Sequence, residues 1–215
     1  MPARTLLCFG DSNTHGTVAM THAGDRRRLS RAERWPSVLA DRLGADWEVI
    51  AEGHPGRTAV HDDPVEGAHK NGLRSLHAIL ESHRPLDMVL IMLGTNDLKA
   101  RFGLSAFDIA LGIQRLAIEV QRSDTGPDGT PPHVMLLAPV CAREAGCLAP
   151  IFAGCAETSI ALPGHLAQIA SARNCGFADL NAVAQVDSVD GIHLDATAHA
   201  AIGAHVARAV TEFMP

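Results

Sequence analysis

Five short apolar runs recur along the chain, and longer stretches of helical period separate them. The strongest run is DMVLIML, Asp87 to Leu93, whose near-continuous apolar character suits a strand covered on both faces. Such alternation points to a parallel sheet, because parallel neighbours must be joined by long crossovers and helices usually supply them. Strands are predicted at Thr5 to Phe9, Trp47 to Ile50, Asp87 to Leu93, Val134 to Ala138 and, from a fainter pattern, Phe177 to Leu180. Helices are predicted at Trp35 to Leu43 with Gly44 as the stop, Leu73 to Ser82, Ser105 to Arg122, Glu157 to Ala172, and Ala196 to Phe213. The expected fold class is α/β, a three-layer α/β/α sandwich around a central parallel five-stranded sheet. With 215 residues, no internal repeat and only a Gly, Pro and Asp-rich connecting loop at 123–133, the chain is expected to be one domain spanning 1–215.

Composition removes several classes of function. A net charge of -6 leaves no clustered Lys and Arg surface for neutralising phosphates, and the short run Arg26 to Arg28 reads as a solvated loop, so no nucleic-acid partner is expected. No segment approaches the ~20 apolar residues of a membrane helix, and the opening MPARTLLCFG runs into a strand pattern instead of a signal segment. No membrane association is therefore expected, and the location expected is cytoplasmic. The five cysteines, Cys8, Cys141, Cys147, Cys155 and Cys175, include no CxxC pair and read as reduced thiols. Twelve histidines are scattered, and His199 and His205 are six apart instead of the four that would stack them on a helix. No metal and no cofactor is expected.

In open parallel sheets ligands sit beyond the carboxyl ends of the strands, so residues just after predicted strands are the place to look for chemistry. Gly10-Asp11-Ser12-Asn13-Thr14 follows the first strand. Taken alone it reads as an ordinary turn or helix cap, since these residue types serve both. Gly94-Thr95-Asn96-Asp97 follows the DMVLIML strand. There Asn96 could aim an amide at a developing oxyanion, or could simply shape a tight turn. Glu52-Gly53-His54-Pro55-Gly56-Arg57-Thr58 follows a third strand, where Gly56 could offer its backbone N–H or merely supply a positive φ.

Asp190-Gly191-Ile192-His193, just before the last helix, supplies what a serine nucleophile lacks. Serine needs a base, and the base needs an orienting group. A carboxylate three residues before an imidazole in a turn can accept the Nδ1 proton, leaving Nε2 to take the proton of Ser12. Nearby Asp187 and Asp195 read as a loop residue and as the cap of the last helix.

Taken together, FGDS at 9–12, the Gly56 loop, GTND at 94–97 and DGIH at 190–193 resemble the four blocks of the GDS(L) or SGNH hydrolases. The resemblance runs on through RWPSVLADRLGADWEVIAEG, IMLGTNDLKARF, DIALG and VDGIHLD, and is nearest to the bacterial oligomeric arylesterase/acyltransferase subgroup. It implies a flavodoxin-like SGNH fold, Ser12 as nucleophile, and Asp190 and His193 as the rest of a triad. It also implies an oxyanion hole formed by Ser12 N–H, Gly56 and Asn96, and a homo-oligomer, an octamer in that subgroup. Asn13, Thr95 and Ile192, each within or beside one of these blocks, are expected to line the substrate pocket. Two departures stand out. His15 replaces a common Trp, and His54-Pro55 replaces an apolar residue and Ser before Gly56, where proline can donate no N–H and restrains its predecessor.

The leading expectation is hydrolysis or transfer of short acyl groups of aryl or alkyl esters, with a small-molecule ester as partner. A carbohydrate O-acetylesterase or a thioesterase could use the same triad. A flavodoxin-like binding module without catalysis is the reading from another class, but no GxGxxG or GxxxxGK[ST] fingerprint is present. A phosphotransferase with Asp11 as nucleophile would want an acid two residues on, where Asn13 stands. Loops 15–31 and 141–156 are expected to serve subunit contact as well as substrate binding, through exposed apolar residues such as Leu148, Ile151 and Phe152.

Overall fold

A computed structural model describes residues 3–214. Its five strands are β1 (Arg4–Gly10), β2 (Trp47–Gly53), β3 (Met88–Met92), β4 (His133–Ala138) and β5 (Gly176–Asp179). All neighbours are parallel and the order is β2-β1-β3-β4-β5. Strand β3 pairs on both sides, with Leu90 opposite Cys8 of β1 and Met135 of β4. Its five residues are all buried, which is why the sequence there is apolar without alternation.

Period two along each strand divides the core into two layers. Leu7, Phe9, Val89 and Ile91 face one side, where α3 (Gly72–His83), α4 (Ala106–Arg122) and α5 (Cys155–Ala172) bring Leu76, Leu80, Ile113, Leu116, Leu162 and Leu166. Leu6, Cys8, Met88, Leu90 and Met92 face the other, against Trp35 and Leu39 of α2 (Trp35–Leu43) and Ile202, Val206 and Val210 of α6 (Ala196–Phe213). Most of these side chains are wholly withdrawn from water, each stabilising the fold by roughly 1.5–3 kcal/mol. The three-layer α/β/α sandwich read from the sequence is the architecture found.

The differences lie at element ends. Helix α5 begins two residues before Glu157, and α3 extends one residue beyond each expected end. Ser105 is the cap of α4 and not its first turn: its Oγ accepts the Asp108 N–H at 3.1 Å. β3 is one residue shorter at each end than expected, and Asp87 Oδ2 instead accepts the Thr5 N–H at 2.7 Å. β5 stops before Leu180, because Asp179 Oδ1 accepts the Asn181 N–H and turns the chain into a short 3-10 segment. Asp195 does cap α6, accepting from Ala198 N at 2.7 Å. A four-residue helix α1 (Ser12–His15) follows β1 after the single residue Asp11, where the sequence offered a turn or a helix cap.

One expectation about the loops is overturned. Leu148 and Phe152 are buried and Ile151 is partly so, all packed into the core layer of α4 and α5. The 3-10 turn Gly146–Leu148 folds them inward to cover the end of the sheet, so they offer no exposed apolar surface for another subunit. Among the described residues, the large apolar side chains that do face solvent are Val65, Phe107, Leu111, Ile160 and Val189. No helix among the described residues is long and apolar enough to cross a membrane.

Candidate active site

From β1 the chain goes to one neighbour, β2, and then crosses back to the other, β3, so the loops after β1 and β3 diverge at the carboxyl edge of the sheet. Such a switch point opens a crevice between strand ends. Ser12 stands there as the first residue of α1, held by its predecessor: Asp11 caps the helix, its Oδ1 accepting the Asn13 N–H at 2.9 Å. Asn96 begins the 3-10 turn Asn96–Leu98 beyond β3, and its Nδ2 donates to Asp11 Oδ2 at 3.3 Å. The Ser12 turn and the GTND turn are thereby tied through one buried carboxylate. Burial pushes the Asp11 carboxyl up to about 6, although the Asn13 N–H and the nearby His193 pull against it.

The DGIH turn delivers the other two groups. His193 Nε2 lies 3.1 Å from Ser12 Oγ, and His193 Nδ1 lies 2.6 Å from Asp190 Oδ2. Asp190 also accepts the N–H groups of Ile192 and His193 at Oδ1, both at 2.9 Å, and that of Met20 at Oδ2, at 2.7 Å. Burial works to raise this carboxyl, but the His193 ring and the backbone donors prevail and hold it at about 2. A carboxylate so fully paired stays ionised and fixes the Nδ1–H tautomer of the ring opposite it. The turn requires Gly191: its φ is +73°, and a Cβ there would lie 2.1 Å from Arg143 O.

Behind the site two further groups brace the strand ends. Arg57, buried, donates from Nη1 to Gly10 O at 2.9 Å and to Glu52 O, and its guanidinium sits 4.2 Å over the Phe9 ring. Burial lowers its pKa to about 10, so it remains a cation at neutral pH. Asp97 takes the Ala59 N–H on both carboxylate oxygens, at 3.1 and 3.0 Å, tying the chain beyond Gly56 to the GTND turn. Neither role was readable beforehand. Arg57 and Asp97 lie inside quoted motifs, but nothing local says that a charged side chain there turns inward. Met20, 170 residues from Asp190, carried no signal at all.

A cavity of about 550 Å³ opens over Ser12, and Ser12, Gly56, Asn96 and His193 all line it. One wall is apolar, from Met20, Leu148, Ile151, Phe152 and Ile192, while the other carries Glu66, Lys70 and Lys99. Of the three residues expected to line the pocket, Ile192 does so and the other two do not. Asn13 is turned beneath the site, where its Nδ2 donates to Ile192 O at 3.1 Å. Thr95 is buried at the start of the GTND turn, its carbonyl accepting from Leu98 N. His15, the residue in place of the common Trp, lines the cavity with Nδ1 3.2 Å from Thr17 Oγ1. Burial, then Arg28 and Arg34, lower its pKa.

Ser12, His193 and Asp190 thus stand in series, within hydrogen-bond distance, at the carboxyl edge of a parallel sheet flanked by helices. Residues 8–201 match the model of the GDSL-like lipase/acylhydrolase family, and the chain belongs to that family of ester-cleaving hydrolases. Among solved structures it is similar to the native aryl esterase of M. smegmatis, at 38% identity over 99% of this chain and 100% of that one, with a TM-score of 0.93. It is also similar to a carbohydrate acetylesterase from Sinorhizobium meliloti, at 34% identity over 98% of this chain and 100% of the other, with a TM-score of 0.93. A lipase/acylhydrolase from Enterococcus faecalis, 20% identical over 97% of this chain and 96% of its own, shares the fold with a TM-score of 0.65. No curated protein sequence matches the chain.

Proposed function

We propose that the chain is a serine esterase that cleaves short acyl esters of aryl or alkyl alcohols through an acyl-Ser12 intermediate, and that it can pass the acyl group to an alcohol in place of water. The observation that carries this reading is the relay Ser12 Oγ to His193 Nε2 at 3.1 Å and His193 Nδ1 to Asp190 Oδ2 at 2.6 Å. His193 takes the Ser12 proton as Oγ attacks the acyl carbon. The negative charge then forming on the carbonyl oxygen is met by the Ser12 and Gly56 N–H groups and by the Asn96 amide, whose second hydrogen is free while the first is spent on Asp11. The protonated imidazole is balanced by Asp190 and returns its proton to the leaving alkoxide. Water or a second alcohol then attacks acyl-Ser12 with His193 again as base. Each step moves one proton within hydrogen-bond reach.

A second reading is favoured by the polar wall. Glu66, Lys70 and Lys99 could meet the hydroxyls of an acetylated sugar while the acetyl methyl lies against Ile192 and Met20. Purified protein is to be assayed on aryl acetates, acetylated sugars and acyl thioesters, with benzyl alcohol added to one set to trap transferred acyl groups. Labelling with a serine-directed organophosphonate should place the adduct on Ser12, and Ser12→Ala should lower kcat by several orders of magnitude. A variant keeping more than about a hundredth of the rate would refute the acyl-serine route.

A further inference from the structure

The acyl-transfer steps give no task to Lys70, one of the cations that line the cavity. Lys70 Nζ donates to Pro55 O at 2.8 Å and lies 3.3 Å from His54 Nε2. Its own backbone is anchored, with Lys70 N donating to Gly67 O at 3.1 Å and Lys70 O accepting from Thr58 N at 2.9 Å. Its stem runs along Gly56, where an added Cβ would sit 3.1 Å from Lys70 Cε and 3.2 Å from Cδ. The ammonium is thus presented to the turn from a fixed post. His54 is suited to receive it. Burial first, then the charges of Lys70 and Arg57, bring His54 down to about 4, so a neutral ring with a free lone pair stands there at pH 7.

Pro55 O and Gly56 N–H belong to one peptide unit. That unit is trans, so the two groups lie in one plane and point in opposite directions. Whatever fixes the oxygen fixes the N–H. A cation on the oxygen also draws electron density along the amide and makes the N–H a stronger donor, as hydrogen bonds in series do. The turn needs such a hold, since proline offers no N–H and Gly56, at φ +82°, has no side chain to pack.

We propose that Lys70 is a positioning residue of the oxyanion hole: its ammonium clamps the Pro55–Gly56 peptide so that the Gly56 N–H faces the oxyanion formed on attack by Ser12. This rests on the esterase reading of Ser12. Lys70 acts through Gly56, so its effect falls on the transition state and hardly at all on ground-state binding.

The test is steady-state kinetics on an aryl acetate with Lys70→Met, which keeps the length of the stem and removes the donor. The expected result is a kcat lower by about tenfold or more with KM within about twofold, since a displaced oxyanion donor costs less than an absent one. Affinity for a boronic acid that forms a tetrahedral anion on Ser12 should fall in parallel. Lys70→Arg, which can still donate to Pro55 O, should recover most of kcat. An unchanged kcat in Lys70→Met would overturn the proposal, and so would a raised KM at unchanged kcat, which would make Lys70 a substrate-binding group. Should Lys70→Met not fold, Lys70→Gln is read by the same kcat and KM criteria. Ser12→Ala in the same assay separates the two possible failures. An active Ser12→Ala removes the esterase reading itself, whereas an inactive one beside a fully active Lys70→Met removes only the role of Lys70.

Discussion

Met20 gives its backbone N–H to Asp190 Oδ2 at 2.7 Å, the same oxygen that faces His193 Nδ1 at 2.6 Å. The carboxylate that faces the imidazole therefore also clasps the loop that brings Met20 to the apolar side of the cavity. Loop position and histidine tautomer depend on one atom. Asp25 supports the same loop from within, taking Arg27 Nη2 at 2.7 Å.

Asp190→Asn removes both functions of that oxygen at once. The amide would offer N–H groups where an acceptor is needed, favouring the imidazole tautomer with Nε2 protonated and unable to receive the Ser12 proton. The expected loss in kcat is roughly 10³- to 10⁴-fold with the fold retained. A loss of less than about tenfold in ester hydrolysis would assign the orienting role to another group.

Asn96→Ala should lower kcat by about a hundredfold with a smaller change in KM, because an oxyanion donor acts chiefly in the transition state. The observation behind this is that Asn96 lines the cavity beside Ser12 with its amide steadied by Asp11. A change confined to KM would make Asn96 a ground-state contact.

Gly191→Ala tests the turn that places Asp190 and His193. A Cβ at φ +73° would be strained, and it would meet the Arg143 carbonyl, which is backbone and cannot swing aside. Thermal or denaturant unfolding should show a destabilisation of about 2 kcal/mol or more, together with loss of esterase activity. Wild-type stability in this variant would mean that the turn relaxes freely and that its geometry is not set by the glycine.

Asp11 makes stability depend on pH. Burial raises its folded-state value to about 6, above the ordinary carboxylate value near 4 of the unfolded chain. Its stabilising contribution is thus fully present below about pH 4 and is lost as pH rises through 6, an effect on the order of 2–3 kcal/mol. The melting temperature of wild type relative to Asp11→Asn should fall between pH 4 and 7. A difference independent of pH across that range would show that Asp11 is ionised throughout.

The layered fold was legible because each strand of a doubly covered parallel sheet writes itself as a local apolar run, as in DMVLIML, and each helix as a local period. The carboxyl ends of those strands then mark the site, so the Ser12, Asn96 and Gly56 turns follow from residue order. The Asp190 and His193 pair was equally open to reading, since a three-residue spacing within one turn fixes their approach. Element ends were less legible. Capping by Ser105 and turning by Asp179 depend on which of several polar residues wins a single hydrogen bond.

What residue order by itself determined was therefore everything set by short-range periodicity: the layers, the strand ends and the separate turns that carry polar groups. Tertiary structure alone decided which of those turns meet and which way their side chains point. Asn96 reaches Asp11 across 85 residues and Met20 reaches Asp190 across 170, while Asn13 turns beneath the cavity it was expected to line and Phe152 turns into the core. Contacts at such separations are chosen by packing and by the cost of leaving a buried polar group unpaired, and neither leaves a periodic trace in the chain.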